Sequence, residues 1–304
     1  SDVYKRQEYD IFYHPVKSIK KSDAKNWIIQ LYRDGKKSST IGRYLSVVSF
    51  AFDQACEDDL IRKNPFKISA KEYAADDKFG AVALTEEQQI SFLSFIRNDP
   101  IFCKQYDAYN ILLGTGLRIS EFIGLTVHDL DMQNCIIHVN HQLTLARDRT
   151  FHVTKPKSWH SIRDIYMSDS VYHSFQRLVE EAKSRKVKIM IDGYCDFLQV
   201  SREGTIRARR NFNLSLMSAV KKYNRLHPDT PLPRISPHTF RHTFCTNMAN
   251  RSIDIKSLQY LMGHSNVAIT LNVYTHANAN TAVQQMVRLV EFTPTGSSSV
   301  LHVG

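Results

Sequence analysis

The sequence lacks the cysteine patterns of secreted domains and of structural zinc sites. It contains 5 cysteines in 304 residues, and none of them belongs to a CxxC pair. An odd number of widely separated cysteines supports neither a disulfide framework nor a zinc knuckle. We therefore expect no bound metal, and reduced, mostly buried thiols at Cys56, Cys103, Cys135, Cys195 and Cys245.

Long hydrophobic runs are also absent. No stretch approaches the roughly 20 apolar residues that a membrane-spanning helix needs, and no signal-peptide pattern opens the chain. We therefore expect a cytoplasmic protein with no membrane partner. The chain begins with the polar sequence SDVYKRQEYD and no methionine, from which we expect a fragment of a longer protein.

Acidic residues are fewer than basic ones. Lysine and arginine total 40 against 30 acidic residues, which gives a net charge of +10. Since nothing indicates a membrane, this balance favours nucleic acid as the polyanionic partner. The apolar fraction of 42% is enough to build a core in each of about two domains.

The N-terminal part of the chain has helical hydrophobic spacing. We expect Ser22 to cap a helix that stops at Gly35, and Ser39 or Thr40 to cap a second helix. A stretch rich in Lys, Asp and Ala follows, as expected of a linker. The predicted organisation is a helical domain over residues 1–66, a linker over 67–84, a second domain over 85–292 and a flexible tail over 293–304.

The second domain is predicted to combine helices with a small antiparallel β-sheet. Thr85 begins TEEQ, a capping-box sequence, and Gly114 and Gly116 are expected to break a helix. The runs CIIHV, FHV and IRDIYM, separated by turn residues, predict the strands. Helical spacing then returns, with a last helix expected over 279–290. The predicted fold class is mainly α with a small antiparallel β-sheet.

Cationic and nucleophilic residues concentrate in this second domain. In TGLRISE, Arg118 stands at a predicted helix start, where free backbone amides suit a bound phosphate. The alternative is a surface arginine paired with Glu121 at i+3. In LQYLMGHSNVAITLNVYTH, His264 follows a helix-ending glycine and Tyr274 lies ten residues further on. A single tyrosine is ordinarily a packing residue.

The segment SPHTFRHTFCTNMA admits three interpretations. His238 and His242 have the spacing of metal ligands, but a zinc protease needs glutamate where this chain has Thr239. Cys245 with a histidine could form a nucleophile pair, although an inert buried thiol is the commoner outcome in an apolar run. The third interpretation is a phosphate-binding pair of His238 and Arg241, which share a helix face.

In their order and separations, TGLRISE, HTFRH, LMGH and VYTH closely resemble the motifs of the tyrosine recombinases, especially the integrases of phages and conjugative transposons. The resemblance covers residues 85–290, and residues 1–66 resemble the family's helical core-binding domain. It implies an α+β catalytic domain that cleaves and rejoins DNA through a covalent 3′-phosphotyrosine, mediating integration and excision of a mobile element.

The resemblance also implies roles for individual residues. The catalytic positions are matched by Arg118, His238, Arg241, His264 and the nucleophile Tyr274. The family uses a lysine in the β-hairpin to protonate the leaving oxygen, and the position after FHVT favours Lys155 over Lys157. Because arginines supply the positive charge, no metal or other cofactor is expected.

The implied partners are double-stranded DNA recombination sites and further copies of the chain. The family works as a homotetramer on bacterial DNA, with accessory DNA-bending or excision factors. In the family a C-terminal segment docks on a neighbouring protomer, and the apolar residues over 283–292 are the candidate segment. Candidate DNA contacts, chosen as basic clusters, are Lys20, Lys21, Lys36, Lys37, Arg43, Arg207, Arg209 and Arg210.

Three alternative functions stay open. A type IB topoisomerase shares the tyrosine chemistry but relaxes supercoils without pairing sites, and the small helical first domain favours recombination instead. A DNA-binding regulator with the same fold would bind without covalent capture, which the complete set of catalytic residues argues against. A zinc hydrolase is the third alternative, and metal analysis would test it.

Overall fold

The computed structural model describes residues 9–73, 83–156, 159–201 and 203–274. The chain divides into two compact units, residues 1–80 and residues 81–304. Lys157, the helix expected over 279–290, the candidate docking segment and the C-terminal tail lie outside the described residues. Within the described ranges, no helix is both long enough and apolar enough to cross a membrane.

The first unit is built on two helices, α1 (Lys21–Arg33) and α2 (Ser38–Glu57). Short 3-10 segments precede α1, and another covers Ala70–Tyr73. Phe66 joins the helices because its ring lies 5.8 Å from that of Trp27 and 4.7 Å from that of Phe52. These aromatic rings contribute large apolar areas to the core of this small unit, beside buried aliphatic residues such as Ile28 and Leu31.

The predicted helix caps in this unit are wrong by two or three residues. Helix α1 begins at Lys21 because the Asp23 carboxylate accepts the Lys20 backbone N–H at 2.8 Å, which ties down the chain before Ser22. Lys37, in extended conformation, precedes α2. The predicted stop at Gly35 is confirmed, since its φ of +73° is one that glycine adopts without strain.

Eight helices are described in the second unit, and the capping box predicted at Thr85 is confirmed by its exchange of hydrogen bonds with Gln88. In chain order they are α3 (Glu86–Asn98), α4 (Tyr106–Thr115), α5 (Ile119–Gly124), α6 (Asp169–Ser184), α7 (Arg209–Leu226), α8 (Pro237–Asn250), α9 (Ile255–Met262) and α10 (Val267–Tyr274). Helix α10 is not anticipated by the sequence, because its β-branched residues disfavour a helix when taken alone.

The strands form two small antiparallel sheets rather than one. Strands β1 (Leu130–Asp131), β2 (Ile136–Val139) and β5 (Arg163–Tyr166) pair in the order β1-β2-β5. Strands β3 (Gln142–Leu145) and β4 (Phe151–Thr154) form a separate hairpin. Along β5, Arg163 and Ile165 are buried whereas Asp164 and Tyr166 are exposed. This alternation turns an arginine toward the protein interior.

Gly114 does not break a helix, contrary to the sequence prediction. It lies inside α4, and a Cβ there would stand 2.5 Å from the Val171 side chain of α6. Its role is therefore to let α4 and α6 pack closely. Gly116 does end α4, with a φ of +64°.

The cysteines are less buried than expected. Among them only Cys245 is buried, Cys103 is exposed, and the other three are half-buried. All five are free thiols, which agrees with the expected reduced state.

Candidate active site

Arg118 immediately precedes α5 and is anchored by a buried carboxylate. Its backbone N–H and its guanidinium donate to Glu121 at 2.8 and 2.6 Å, and the guanidinium also donates to the Gly263 carbonyl at 2.6 Å. The pairing with Glu121 that the sequence offered as a surface alternative is present. Glu121, however, is 2% exposed, so the pair fixes Arg118 at the edge of the interior rather than in solvent.

Arg241 projects from α8 and joins two turns of the backbone. One end of its guanidinium donates to the Gly116 carbonyl at 2.7 Å, and the other donates to the Met262 carbonyl. Burial and the nearby Arg118 lower the pKa of Arg241 to about 9, so the side chain stays charged at neutral pH. The sequence predicted both arginines as phosphate ligands, and the structure brings them together around these turns.

Two features of this cluster could not be predicted from the sequence. One is that Glu121 is buried, and the other is that Arg163 belongs to the cluster at all. The Arg163 side chain is fully buried and donates to both Glu121 oxygens, at 3.2 and 2.9 Å. Burial opposes ionisation of Glu121, but the hydrogen bonds and charge of Arg163 outweigh it and hold the pKa of that carboxyl below its usual value. The sequence did contain one indication: Arg163 lies two positions before Ile165 in a predicted strand, so the two side chains share the face that is buried.

A cleft of about 210 Å³ opens beside Arg118 and Arg241. The first residues of α5, α7 and α8 line it, so backbone amides and the positive ends of helix dipoles face the same space. Its polar side chains include Arg118, Arg209, Asn213, His238 and Arg241. A cleft with these groups suits a phosphate that carries negative charge.

The two predicted histidines are kept neutral by their surroundings. Desolvation and the charges of Arg241 and Arg209 lower the pKa of His238. Burial and the charges of Arg241 and Arg118 lower the pKa of His264 to about 4. The His264 ring lies 3.0 Å from the Thr270 hydroxyl, which fixes its orientation. Neutral imidazoles can accept or donate a proton at neutral pH.

Tyr274, the predicted nucleophile, is the last residue of α10, and its hydroxyl bonds to the backbone rather than to these groups. Its hydroxyl donates to the Ile253 backbone carbonyl, in the turn between α8 and α9. Its half-buried ring packs against the apolar cluster that includes Phe244 and Cys245. Burial, together with the nearby Cys245 and Asp254, raises the pKa of the hydroxyl. This arrangement does not activate the tyrosine for attack.

The remaining candidates are basic residues, most of them exposed, whereas Lys36 and Arg207 are half-buried. Lys155 is exposed directly after β4. In the first unit, Lys20 and Lys21 lie at the start of α1, whereas Lys36 and Lys37 follow its end. The 13 residues of α1 span about 20 Å, so these two pairs do not form one patch. Arg43 is exposed on α2, Arg210 is exposed on α7, Arg209 lines the cleft, and Arg207 lies 3.8 Å from Glu181.

The alternatives drawn from HTFRH gain no support. The Thr239 hydroxyl exchanges hydrogen bonds with Ser236 in a capping box, so it offers no general base beside the histidines. Burial raises the pKa of Cys245 to about 11, which leaves a protonated, unreactive thiol. Elsewhere, His128, Cys195 and Asp196 could reach one metal ion, but Asp196 already accepts a hydrogen bond from Lys188 at 2.8 Å.

Comparison with protein families finds a match over most of the second unit. The model described as the phage integrase family matches residues 83–281. The transposase from transposon Tn916 of Enterococcus faecalis is 40% identical over 288 residues, which are 95% of this chain and 70% of that protein. The tyrosine recombinase XerC of Bacillus pumilus is 27% identical over 256 residues, covering 84% of this chain and 76% of that one.

Solved structures give a consistent result. The Tn1549 transposon integrase in complex with transposon right end DNA matches with a TM-score of 0.82 and 42% identity, over 91% of this chain and 87% of that chain. The XerH site-specific recombinase bound to palindromic difH substrate matches with a TM-score of 0.60 and 15% identity, over 90% of this chain and 73% of that chain. The second likeness is one of fold alone.

Proposed function

The chain belongs to the phage integrase family, and we propose that its arginine cluster holds the scissile phosphate of a recombination site for attack by Tyr274. As a tyrosine recombinase of the kind found in conjugative transposons, it cleaves and rejoins DNA strands through a covalent 3′-phosphotyrosine. The observation that carries the residue assignment is the joint anchoring of Arg118 and Arg241 beside a cleft lined by helix N-termini.

Arg118 and Arg241 would bind the nonbridging phosphate oxygens. Both are fixed by backbone carbonyls before any substrate arrives, so little reorganisation is needed as negative charge develops in the transition state. Their planar guanidinium groups can each donate two parallel hydrogen bonds to a phosphate, which a lysine cannot do.

Proton transfer would fall to the histidines and the hairpin lysine. Tyr274 attacks the phosphorus in line, and its proton passes to His238 or His264, whose lowered pKa values leave the rings unprotonated at neutral pH but also make them weak bases. Lys155 would protonate the departing 5′-oxygen. Rejoining reverses these steps, because the phosphotyrosine conserves the bond energy.

The nucleophile has to move before this reaction begins. Its hydroxyl donates a hydrogen bond to the Ile253 carbonyl, and burial together with Cys245 and Asp254 raises the pKa of the hydroxyl. We propose that binding of duplex DNA draws α10 toward the cleft. Next to Arg118 and Arg241 the hydroxyl would then ionise more easily, since nearby positive charge favours the phenolate.

The substrate and assembly are inferred from relatives. The Tn1549 integrase has been solved with transposon right end DNA. We propose that this chain likewise acts on the ends of a mobile element, as a homotetramer on two duplexes. Within that assembly the segment over 283–292 would dock on a neighbouring protomer, and accessory DNA-bending factors would set the direction. The basic residues of the first unit would contact DNA phosphates.

Covalent trapping tests the nucleophile directly. The full chain is incubated with a nicked suicide duplex built from the ends of the element that carries its coding sequence, and the products are separated on a denaturing gel. The expected result is a protein–DNA band that Tyr274→Phe abolishes. Tyr260→Phe is the matched control, because Tyr260 is an exposed tyrosine on the neighbouring helix α9.

Each outcome of this experiment is informative. A band retained in Tyr274→Phe would move the nucleophile to another residue. Salt-sensitive binding by the unaltered chain without any adduct would contradict the proposed chemistry and favour a regulator that only binds DNA.

A further inference from the structure

Arg163 is a buried cation with no direct access to the cleft. Its side chain is fully buried on β5, and Arg163 is not among the residues that line the cleft. It makes hydrogen bonds in three directions: to both Glu121 oxygens, to the Leu261 carbonyl at 2.7 Å and to the Ser161 carbonyl at 2.9 Å. An arginine buried this completely needs a reason beyond packing, because its desolvation is costly.

These contacts connect the segments that carry the catalytic candidates. Glu121 holds Arg118 at the start of α5, and Leu261 is near the end of α9, directly before the turn that carries His264. Ser161 belongs to the segment that leads from the β4 hairpin, which carries Lys155, into β5. Arg163 therefore lies where three separate parts of the site meet.

The backbone packs closely around the same guanidinium. A Cβ on Gly263 would stand 3.1 Å from one Arg163 nitrogen and 3.2 Å from one Arg118 nitrogen. The two arginines thus lie side by side over Gly263, with Glu121 accepting hydrogen bonds from both. Without Arg163, the negative charge of Glu121 would be balanced mainly by Arg118. The Glu121 carboxylate would then compete with a phosphate for the Arg118 guanidinium.

We propose that Arg163 is a positioning residue of strand cleavage, which neutralises Glu121 and fixes the Leu261–His264 turn so that Arg118 and His264 meet the scissile phosphate. This inference rests on the proposed function. The fork of the guanidinium is essential to the role, because it supplies separate donors to Glu121, Leu261 and Ser161. A lysine in this position keeps the charge but cannot satisfy all three acceptors from one ammonium group.

Arg185 provides a matched control. It is also a poorly exposed arginine of the second unit, and its guanidinium donates to the Phe197 and Leu198 carbonyls at 2.7 and 2.9 Å. Neither carbonyl belongs to the arginine cluster, so Arg185→Lys reports what loss of a structural arginine does to the fold of this unit.

The test compares the full chain, Arg163→Lys and Arg185→Lys by three measurements: thermal melting, the dissociation constant for the suicide duplex, and the single-turnover rate of adduct formation at saturating protein. We expect both variants to melt at a lower temperature and to bind DNA as the unaltered chain does. Arg163→Lys alone should form the adduct about 100-fold more slowly, as expected for a small displacement of catalytic groups.

A second variant tests whether Arg163 acts through Glu121. Glu121→Gln keeps the size of the side chain but removes its charge. If Arg163 acts through Glu121, the double variant cleaves no more slowly than the slower single variant. If instead the rate losses of the two single variants multiply in the double variant, Arg163 does not act through Glu121.

The outcomes separate the inference from the proposed function. A folded Arg163→Lys that forms the adduct at the rate of Arg185→Lys overturns the positioning role and leaves Tyr274 chemistry intact. An unaltered chain that forms no adduct overturns the proposed function and this inference with it.

Discussion

The arginine cluster and the nucleophile helix belong to the same unit but are fixed by different kinds of contact. Arg118, Arg163 and Arg241 donate to buried carbonyls and to one buried carboxylate. Helix α10 has a single buried residue, Thr270, and ends in a hydroxyl bonded to the Ile253 carbonyl. The arginine cluster is preorganised, whereas the Tyr274 hydroxyl is bonded to a backbone carbonyl outside that cluster.

Removing the shared carboxylate should have the largest effect. We expect Glu121→Ala to lower the free energy of unfolding by about 3–5 kcal/mol, because buried Arg163 would lose its charged partner. Urea denaturation measures this. Asp107→Ala, which breaks the more exposed pair with Arg177, should cost about 0–1 kcal/mol. If Glu121→Ala and Asp107→Ala lower the free energy of unfolding equally, the arginine cluster is held no more firmly than an exposed ion pair.

Arg241→Lys should leave the fold intact but slow adduct formation by about 10²–10³-fold, which is the usual loss when one donor to the transition state is removed. A lysine cannot bridge the Gly116 and Met262 carbonyls and still bind phosphate. Single-turnover trapping measures the rate. Arg177→Lys, at an exposed pair, serves as the control, and comparable loss in both variants would argue against a special role for Arg241.

Gly263→Ala and Gly193→Ala separate backbone strain from displacement of the arginines. Both glycines have positive φ, at +60° and +84°, so alanine should cost each about 1–2 kcal/mol of stability. Only at Gly263 does the new Cβ meet Arg163 and Arg118, whereas at Gly193 nothing lies within 4 Å. We expect adduct formation to slow by about 10–100-fold in the first variant alone. Equal cleavage rates in the two variants would show that the cluster tolerates movement.

Stability should fall in mild acid because of His264. Its pKa is about 4 in the folded chain and 6.5 in the unfolded chain, so the unfolded state binds more protons between these values. Stability is therefore complete above about pH 6.5 and declines as pH falls to about 4, by about 3 kcal/mol. Urea denaturation across this range measures the decline, and His264→Gln should make it shallower. An identical slope in the variant would assign the effect to other groups.

Tyr274→Phe should have the smallest effect on stability. It removes one hydroxyl–carbonyl bond of a half-buried side chain, worth about 0.5–1.5 kcal/mol. Thermal melting beside the unaltered chain measures the difference. A loss approaching that of Glu121→Ala would show that the nucleophile helix is as firmly fixed as the arginine cluster, and would remove the contrast between them.

Local sequence signals predicted the parts of this protein that local interactions determine. The Thr85 capping box and the glycine stops at Gly35 and Gly116 were predicted correctly because each depends on neighbouring residues. Helix α10 was missed, since its β-branched sequence disfavours a helix and only contacts such as Thr270 with His264 favour it.

The residues of the candidate site were predicted from the sequence, but the hydrogen bonds that hold them were not. The ordered motifs selected Arg118, His238, Arg241, His264 and Tyr274, and their roles stay predictions until the variants are tested. Arg163 was missed because its partners lie far along the chain. The attachment of Tyr274 to Ile253 could not be predicted, because hydrogen bonding across a turn leaves no periodic pattern in the sequence.

The long-range hydrogen bonds of the cluster also bear on the order in which the chain acquires activity. Glu121 and Arg163 are 42 residues apart, Arg163 and Leu261 are 98 apart, and Arg118 and Gly263 are 145 apart. Contacts of such separation form late, because closing large loops is entropically unfavourable until both ends are present. A chain still emerging from the ribosome therefore lacks the complete arginine cluster until Gly263 has been made.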